Sequence, residues 1–172
     1  MHKITMPITD EDIRRCSVGD IISISGDIYC GRDVVLPRIV DLYREGKLSD
    51  YGINLEGSLV FHTAVSPAGI GPTSSNKLEI ESSMEPLSEA GVKIHLGKGA
   101  LSEATIKALE RHNSMFAVVP PVTALLTSKV LEKEAIAFPE EGMEAFYRLK
   151  VEDLTMIVAA VGGASIYEVQ DE

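Results

Sequence analysis

The chain has no tryptophan, and its tyrosines and phenylalanines make up only 5% of the residues. An aromatic platform for stacking nucleic-acid bases is therefore not expected. Positive charge is also scarce: 16 Lys+Arg stand against 26 Asp+Glu, a formal net charge of -10. This balance opposes a general role on nucleic acid or on anionic membrane, both of which need positive surface. It leaves room for a small anion held by a few local cations. Cysteine is limited to Cys16 and Cys30, with no CxxC motif. Two thiols cannot by themselves supply the usual ligands of an iron–sulfur cluster or a structural zinc, and free, inert thiols in a cytoplasmic protein are expected. No apolar run is long enough to span a bilayer. The N-terminal M-H-K-I-T-M-P-I-T-D-E-D lacks the apolar core of a signal peptide, so the cytoplasm is the default location.

The composition is otherwise that of a globular protein, 172 residues with 45% hydrophobic content, and it suits one domain over residues 1–172. The most informative stretch is Gly69 to Glu81, G-I-G-P-T-S-S-N-K-L-E-I-E. Glycines and a proline break the backbone, and Thr73, Ser74, Ser75 and Asn76 are residue types that cap helices. Ile80, Met84 and Leu87 then recur at the spacing of one helix face, and Gly91 marks a stop. The stretch reads as a loop feeding a helix N-terminus, where free N–H groups and the macrodipole attract anions. Lys77 in the first turn is disfavoured by that dipole, which suggests an anionic ligand such as a carboxylate or phosphate.

Elsewhere the pattern alternates. Strands are expected at Ile4–Ile8, Ile21–Ser25, Ile28–Cys30, Leu59–Ala64, Val92–Leu96 and Met115–Val119, with a turn at Gly26-Asp27. Helices are expected to begin near Thr9 and Val35, to follow Gly97-Lys98-Gly99, and to run from Val122 to Leu131. The end of the chain reads as strands at Ala135–Phe138, Phe146–Val151, Met156–Val161 and Ile166–Val169. The sum is a mixed α/β domain. Ligand sites in such domains sit at strand-to-helix loops, and three of these loops carry a cation: Arg32, Lys77 and Lys98.

The motifs G-R-D (31–33), G-P-T-S-S-N-K (71–77), G-V-K-I-H-L-G-K-G-A-L-S (91–102), P-P-V-T-A-L-L and E-G-M-E-A-F-Y-R-L-K-V-E-D-L occur in an order and spacing that give the chain a family likeness. It resembles the β subunit, or C-terminal domain, of class I iron–sulfur fumarate hydratases, and is similar to the L(+)-tartrate dehydratase β subunit. The resemblance implies a swivelling three-layer β/β/α fold. It implies a hydro-lyase that interconverts fumarate and (S)-malate, active with a fumarase α subunit that carries the [4Fe–4S] cluster, while this chain binds no metal. It also implies site residues: Arg32 and Lys98 for substrate carboxylates, Thr73 as the base on the substrate carbon, and Ser74 and Lys77 as further contacts with the dicarboxylate. Lys77 stands where the family has an arginine, and lysine lacks the planar fork. His62-Thr63-Ala64 is closer to the tartrate enzymes, and Ala160 falls where an aspartate is common. Dehydration of tartrate or another hydroxy-dicarboxylate is thus the alternative reaction, and a non-catalytic anion-binding paralogue the alternative class. The reading admits a homodimer of the chain.

Overall fold

Ile22, Ile24, Ile28 and Cys30 are buried together on one strand, β2 (Ile21–Cys30), in the computed structural model, which describes residues 2–66, 69–73, 77–119 and 130–166. For residues 64, 66, 69–73 and 77–80 the description is of the backbone. Gly26 does not reverse the chain as expected. It lies at φ +124° within β2, at a bulge, and a Cβ there would stand 2.8 Å from Met6 Cγ. Only glycine meets both demands.

The other elements follow in order. They are β1 (His2–Thr5), α1 (Asp10–Arg14), α2 (Leu36–Arg44) after β2, β3 (Ser58–Phe61), β4 (Thr63–Ser66) and β5 (Gly69–Thr73). Then come α3 (Lys77–Glu89), β6 (Val92–Gly97), α4 (Glu103–Arg111), β7 (Met115–Val118), β8 (Val130–Ala137), β9 (Phe146–Val161) and β10 (Ala164–Ser165). Short 3₁₀ turns cover Leu48–Tyr51 and Pro139–Glu144. Thr9 caps α1 with a reciprocal box: its hydroxyl accepts from the Asp12 N–H, and the Asp12 carboxylate accepts from the Thr9 N–H.

Strands β1, β2, β3, β6 and β7 run parallel to their neighbours, and β9 runs antiparallel to both β2 and β7. The pairing therefore closes on itself: β2 to β3, β6, β7, β9 and back to β2. A closed ladder leaves none of these strands with an open edge along its paired length. Period-two alternation sorts the side chains. Leu59, Phe61, Ile94, Leu96, Met115 and Ala117 join the β2 residues and Leu149, Leu154 and Val158 in one apolar interior. Val60 and Phe116 alternate with them and face outward, and a bulge between Val92 and Ile94 sets Val92 on that outward side too, where Leu36, Ile39 and Val40 of α2, Met84 and Leu87 of α3, and Ile106 and Leu109 of α4 cover them. Each fully buried aliphatic chain contributes roughly 1.5–3 kcal/mol, against the entropy of ordering it.

Several expected boundaries shift. Phe146–Val151 and Met156–Val161 are one continuous strand, β9. Val130 and Leu131 open β8 instead of ending a helix, while residues 120–129 lie outside the described residues. Gly69–Thr73, read as loop, pairs with β4 as a strand. Ile166 is not in a strand, and residues 167–169 lie outside the described residues.

Candidate functional site

The parallel strands stop at a common level. Cys30 pairs with Phe61, Phe61 with Leu96, and Leu96 with Ala117. Two residues beyond the first three of these stand Arg32, Thr63 and Lys98. Thr63 in turn pairs with Thr73 across the β4–β5 ladder, which brings the Thr73 backbone to the same edge. Lys77 is the first residue of α3, as the capping pattern requires. The structure thus brings Arg32 and Lys98, from separate loops, and the Thr73 backbone, from the end of β5, to the carboxyl edge of one sheet, the usual place for ligands in α/β folds. Ser74 lies outside the described residues, and the side chains of Thr73 and Lys77 are likewise not described.

Arg32 is held at the start of α2. Its carbonyl accepts from the N–H groups of Val35 and Leu36, and the preceding Gly31 N–H donates to Phe61 O at 3.0 Å. Gly31 is closely surrounded: a Cβ there would meet Val35, Phe146 and Leu36 at 3.0–3.2 Å. The arginine is 27% exposed, and its Nε donates to the Glu144 carboxylate at 3.1 Å. A carboxylate of the chain itself therefore engages this side of the guanidinium, and Glu144 is a site residue that the sequence pattern did not single out. Lys98 is exposed and makes no ion pair among the described residues. The loop that carries it ends at Ser102, the N-cap of α4, whose hydroxyl accepts from the Thr105 N–H. Glu81 of α3 fastens that end: one carboxylate oxygen accepts from the Ser102 N–H at 3.0 Å, the Ser102 hydroxyl at 2.6 Å and the Thr105 hydroxyl at 2.5 Å.

Beneath this edge lie two histidines. His62 follows β3 directly, with its backbone N–H on Leu96 O at 2.9 Å, and is 1% exposed. Its Nε2 lies 3.1 Å from Nδ1 of His95, which is fully buried on β6. His95 Nε2 lies 2.8 Å from the hydroxyl of Ser88 on α3. Burial pushes the His62 pKa down to about 4, and burial followed by the neighbouring His62 lowers His95 well below its usual value. Both rings are therefore neutral at pH 7. Sequence reasoning noticed His62 only as a departure in a motif and missed His95. The signal is a histidine in each of two neighbouring apolar stretches, His62 directly after β3 and His95 within β6.

Cys16 and Cys30 are both free and buried. Burial raises both thiols, Cys30 the more strongly. The thiolate form that ligates iron is therefore disfavoured at each, and these cysteines do not suit a cluster. Among the described residues no group of three or more His, Cys, Asp or Glu is placed to hold a metal ion, and no helix is long and apolar enough to cross a membrane.

A family model described as Fumarase C-terminus matches residues 2–170. The chain is 28% identical over 94% of its length to a Geobacillus stearothermophilus protein named "Putative fumarate hydratase class I", of which it spans only 32%. It is 27% identical to the L(+)-tartrate dehydratase subunit beta of Escherichia coli K12, over 94% of this chain and 83% of that subunit. A Methanocaldococcus jannaschii protein named "Putative L(+)-tartrate dehydratase subunit beta" is 27% identical over 94% of this chain and 88% of its own.

Proposed function

Because this chain belongs to the fumarase C-terminus family, we propose that it is the β subunit of an iron–sulfur hydro-lyase, hydrating fumarate reversibly to (S)-malate. The observation that carries this reading is the level at which the parallel strands end, with Arg32, Thr63 paired to Thr73, and Lys98 just beyond it. Two separated cations with a threonine backbone at the same edge suit a dicarboxylate. Arg32 takes one carboxylate, Lys98 the other, and Ser74 and Lys77 add contacts at the helix start, where N–H groups and the dipole favour an anion. Thr73 moves the proton on the substrate carbon. The [4Fe–4S] cluster belongs to a fumarase α subunit, since the two buried thiols here are poor ligands. The fold counts as one swivelling β/β/α domain over residues 1–172, with the closed ladder as its β layers and α2, α3 and α4 as its helical layer. The cytoplasm is the proposed location.

A second reading is L(+)-tartrate dehydration. The similar chains with that name match this one over 83% and 88% of their own lengths. Lys77, in place of a forked arginine, favours a substrate that is held less rigidly there. The test is the complex with the α subunit, reconstituted without oxygen and assayed on fumarate, (S)-malate and L-tartrate in parallel. Turnover of fumarate and malate supports the first reading, turnover of tartrate alone the second. A well-folded complex inert to all three overturns both and leaves a non-catalytic anion-binding module.

A further inference from the structure

His62 Nδ1 is closed off from solvent and has no hydrogen-bond partner among the described residues. Buried polar atoms are nearly always paired, so an orphan calls for an explanation. The bonds behind it show what kind of atom it is. A serine hydroxyl has one proton to donate. Ser88 is 5% exposed, and its hydroxyl meets only His95 Nε2 among the described residues. If Ser88 accepts instead, two groups go unpaired: its own proton and the lone pair on His62 Nδ1. If it donates, only one group goes unpaired. His95 Nε2 is then the acceptor, so a neutral His95 carries its proton on Nδ1 and donates to His62 Nε2. A neutral His62 in turn carries its proton on Nδ1. That atom lies beside the residue's own backbone, where β3 gives way to β4, while its Nε2 edge is taken up by β6.

We propose that Ser88, His95 and His62 form a one-way hydrogen-bond chain that holds His62 as an Nδ1–H donor for a carboxylate or hydroxyl oxygen of the bound dicarboxylate. This rests on the function proposed above, and it adds His62 to the groups that bind the ligand. The donor is uncharged and fixed in direction, so it selects for the position of an oxygen and not for net charge. Helix α3, which begins at Lys77, sets that direction through Ser88.

Imidazole ¹⁵N NMR of the full chain tests the first half directly. His62 and His95 are both expected as Nδ1–H tautomers, and His62 found with its proton on Nε2 overturns the inference. The second half is tested in the complex with the cluster-bearing subunit, with fumarate and L-tartrate as probes. Asparagine keeps an amide nitrogen near the place of Nδ1, and glutamine keeps one near Nε2. His62→Gln is expected to weaken binding of the preferred probe about 10–100-fold, the worth of a hydrogen bond to a charged group, and His62→Asn to stay within about threefold. Equal weakening in both variants, tracking a common loss of melting temperature, marks a purely structural role and overturns the inference. Unchanged binding in His62→Gln overturns it as well while leaving the proposed function standing. A wild-type complex that binds neither probe brings down both.

Discussion

β9 and the segment from His62 to Lys98 use the same sheet in opposite ways. β9 bonds to β2, β7 and β8 along sixteen residues, alternates buried and outward side chains, and carries none of the candidate ligand contacts. The other segment breaks off at a strand end, changes sheet at β4 and β5, and starts helix α3. It holds the buried polar chain Ser88–His95–His62 as well as Thr73, Lys77 and Lys98. The contrast separates what holds the domain together from what it offers to a ligand. Substitutions in the two regions are expected to fail by different measurements.

The largest expected effect is at Thr73. Thr73→Val keeps the shape and removes the hydroxyl, so kcat in the reconstituted complex is expected to fall about 10²–10⁴-fold with substrate still bound. Wild-type kcat in that variant moves the proton transfer to the partner subunit. On the scaffold side, Phe146 at the start of β9 is fully buried and stacks on Tyr29 with ring centroids 5.2 Å apart. Phe146→Ala is expected to cost about 3–5 kcal/mol in denaturant unfolding, with the kcat of the folded fraction nearly unchanged. A variant that kept its stability and lost turnover would erase the division between the two regions.

Arg32→Ala and Lys98→Ala are each expected to cost about 2–5 kcal/mol of kcat/KM. An effect below about 0.5 kcal/mol, typical of surface substitutions, would make either residue a plain surface cation. Arg32→Ala also leaves Glu144 without its partner, so a Glu144→Gln control separates loss of the pair from loss of the ligand contact. Acid gives the last comparison. His62 falls from 6.5 unfolded to about 4 folded through burial, and His95 shifts the same way. The unfolded chain therefore binds more protons between these values. Stability is full above about pH 6.5 and declines as pH drops towards 4, by on the order of 3 kcal/mol for His62. Denaturant midpoints across that range should show the slope, and His62→Gln should flatten it.

The scaffold was largely legible because its period is local. β3, β6, β7 and the helices after them follow alternation and capping signals within a few residues of one another. The apolar pattern of β9 reads as two strands because Glu152-Asp153-Leu154-Thr155 interrupts it. The strand passes through: Asp153 adopts φ +50° and donates its N–H to Ser25 Oγ at 2.9 Å, so a bulge absorbs the polar residues without breaking the ladder. The candidate site was legible in its residue types and not in its pairings. Arg32 and Glu144 are far apart in sequence, as are His62 and His95, and each pair meets only through strand register or a returning turn. No local pattern encodes such meetings.

The ring of strands has a consequence for a chain as it leaves the ribosome. β2 emerges early, but the residues that close it, Tyr147 to Ile157, are more than a hundred positions further on. Until they appear, β2 presents a bare row of backbone donors and acceptors beside side chains that end at almost no exposure. Pairing over so long a separation is slow, and an open strand edge in the meantime invites association between nascent chains. Translation rate and chaperone supply, more than the stability of the finished domain, are therefore expected to limit how much of it accumulates.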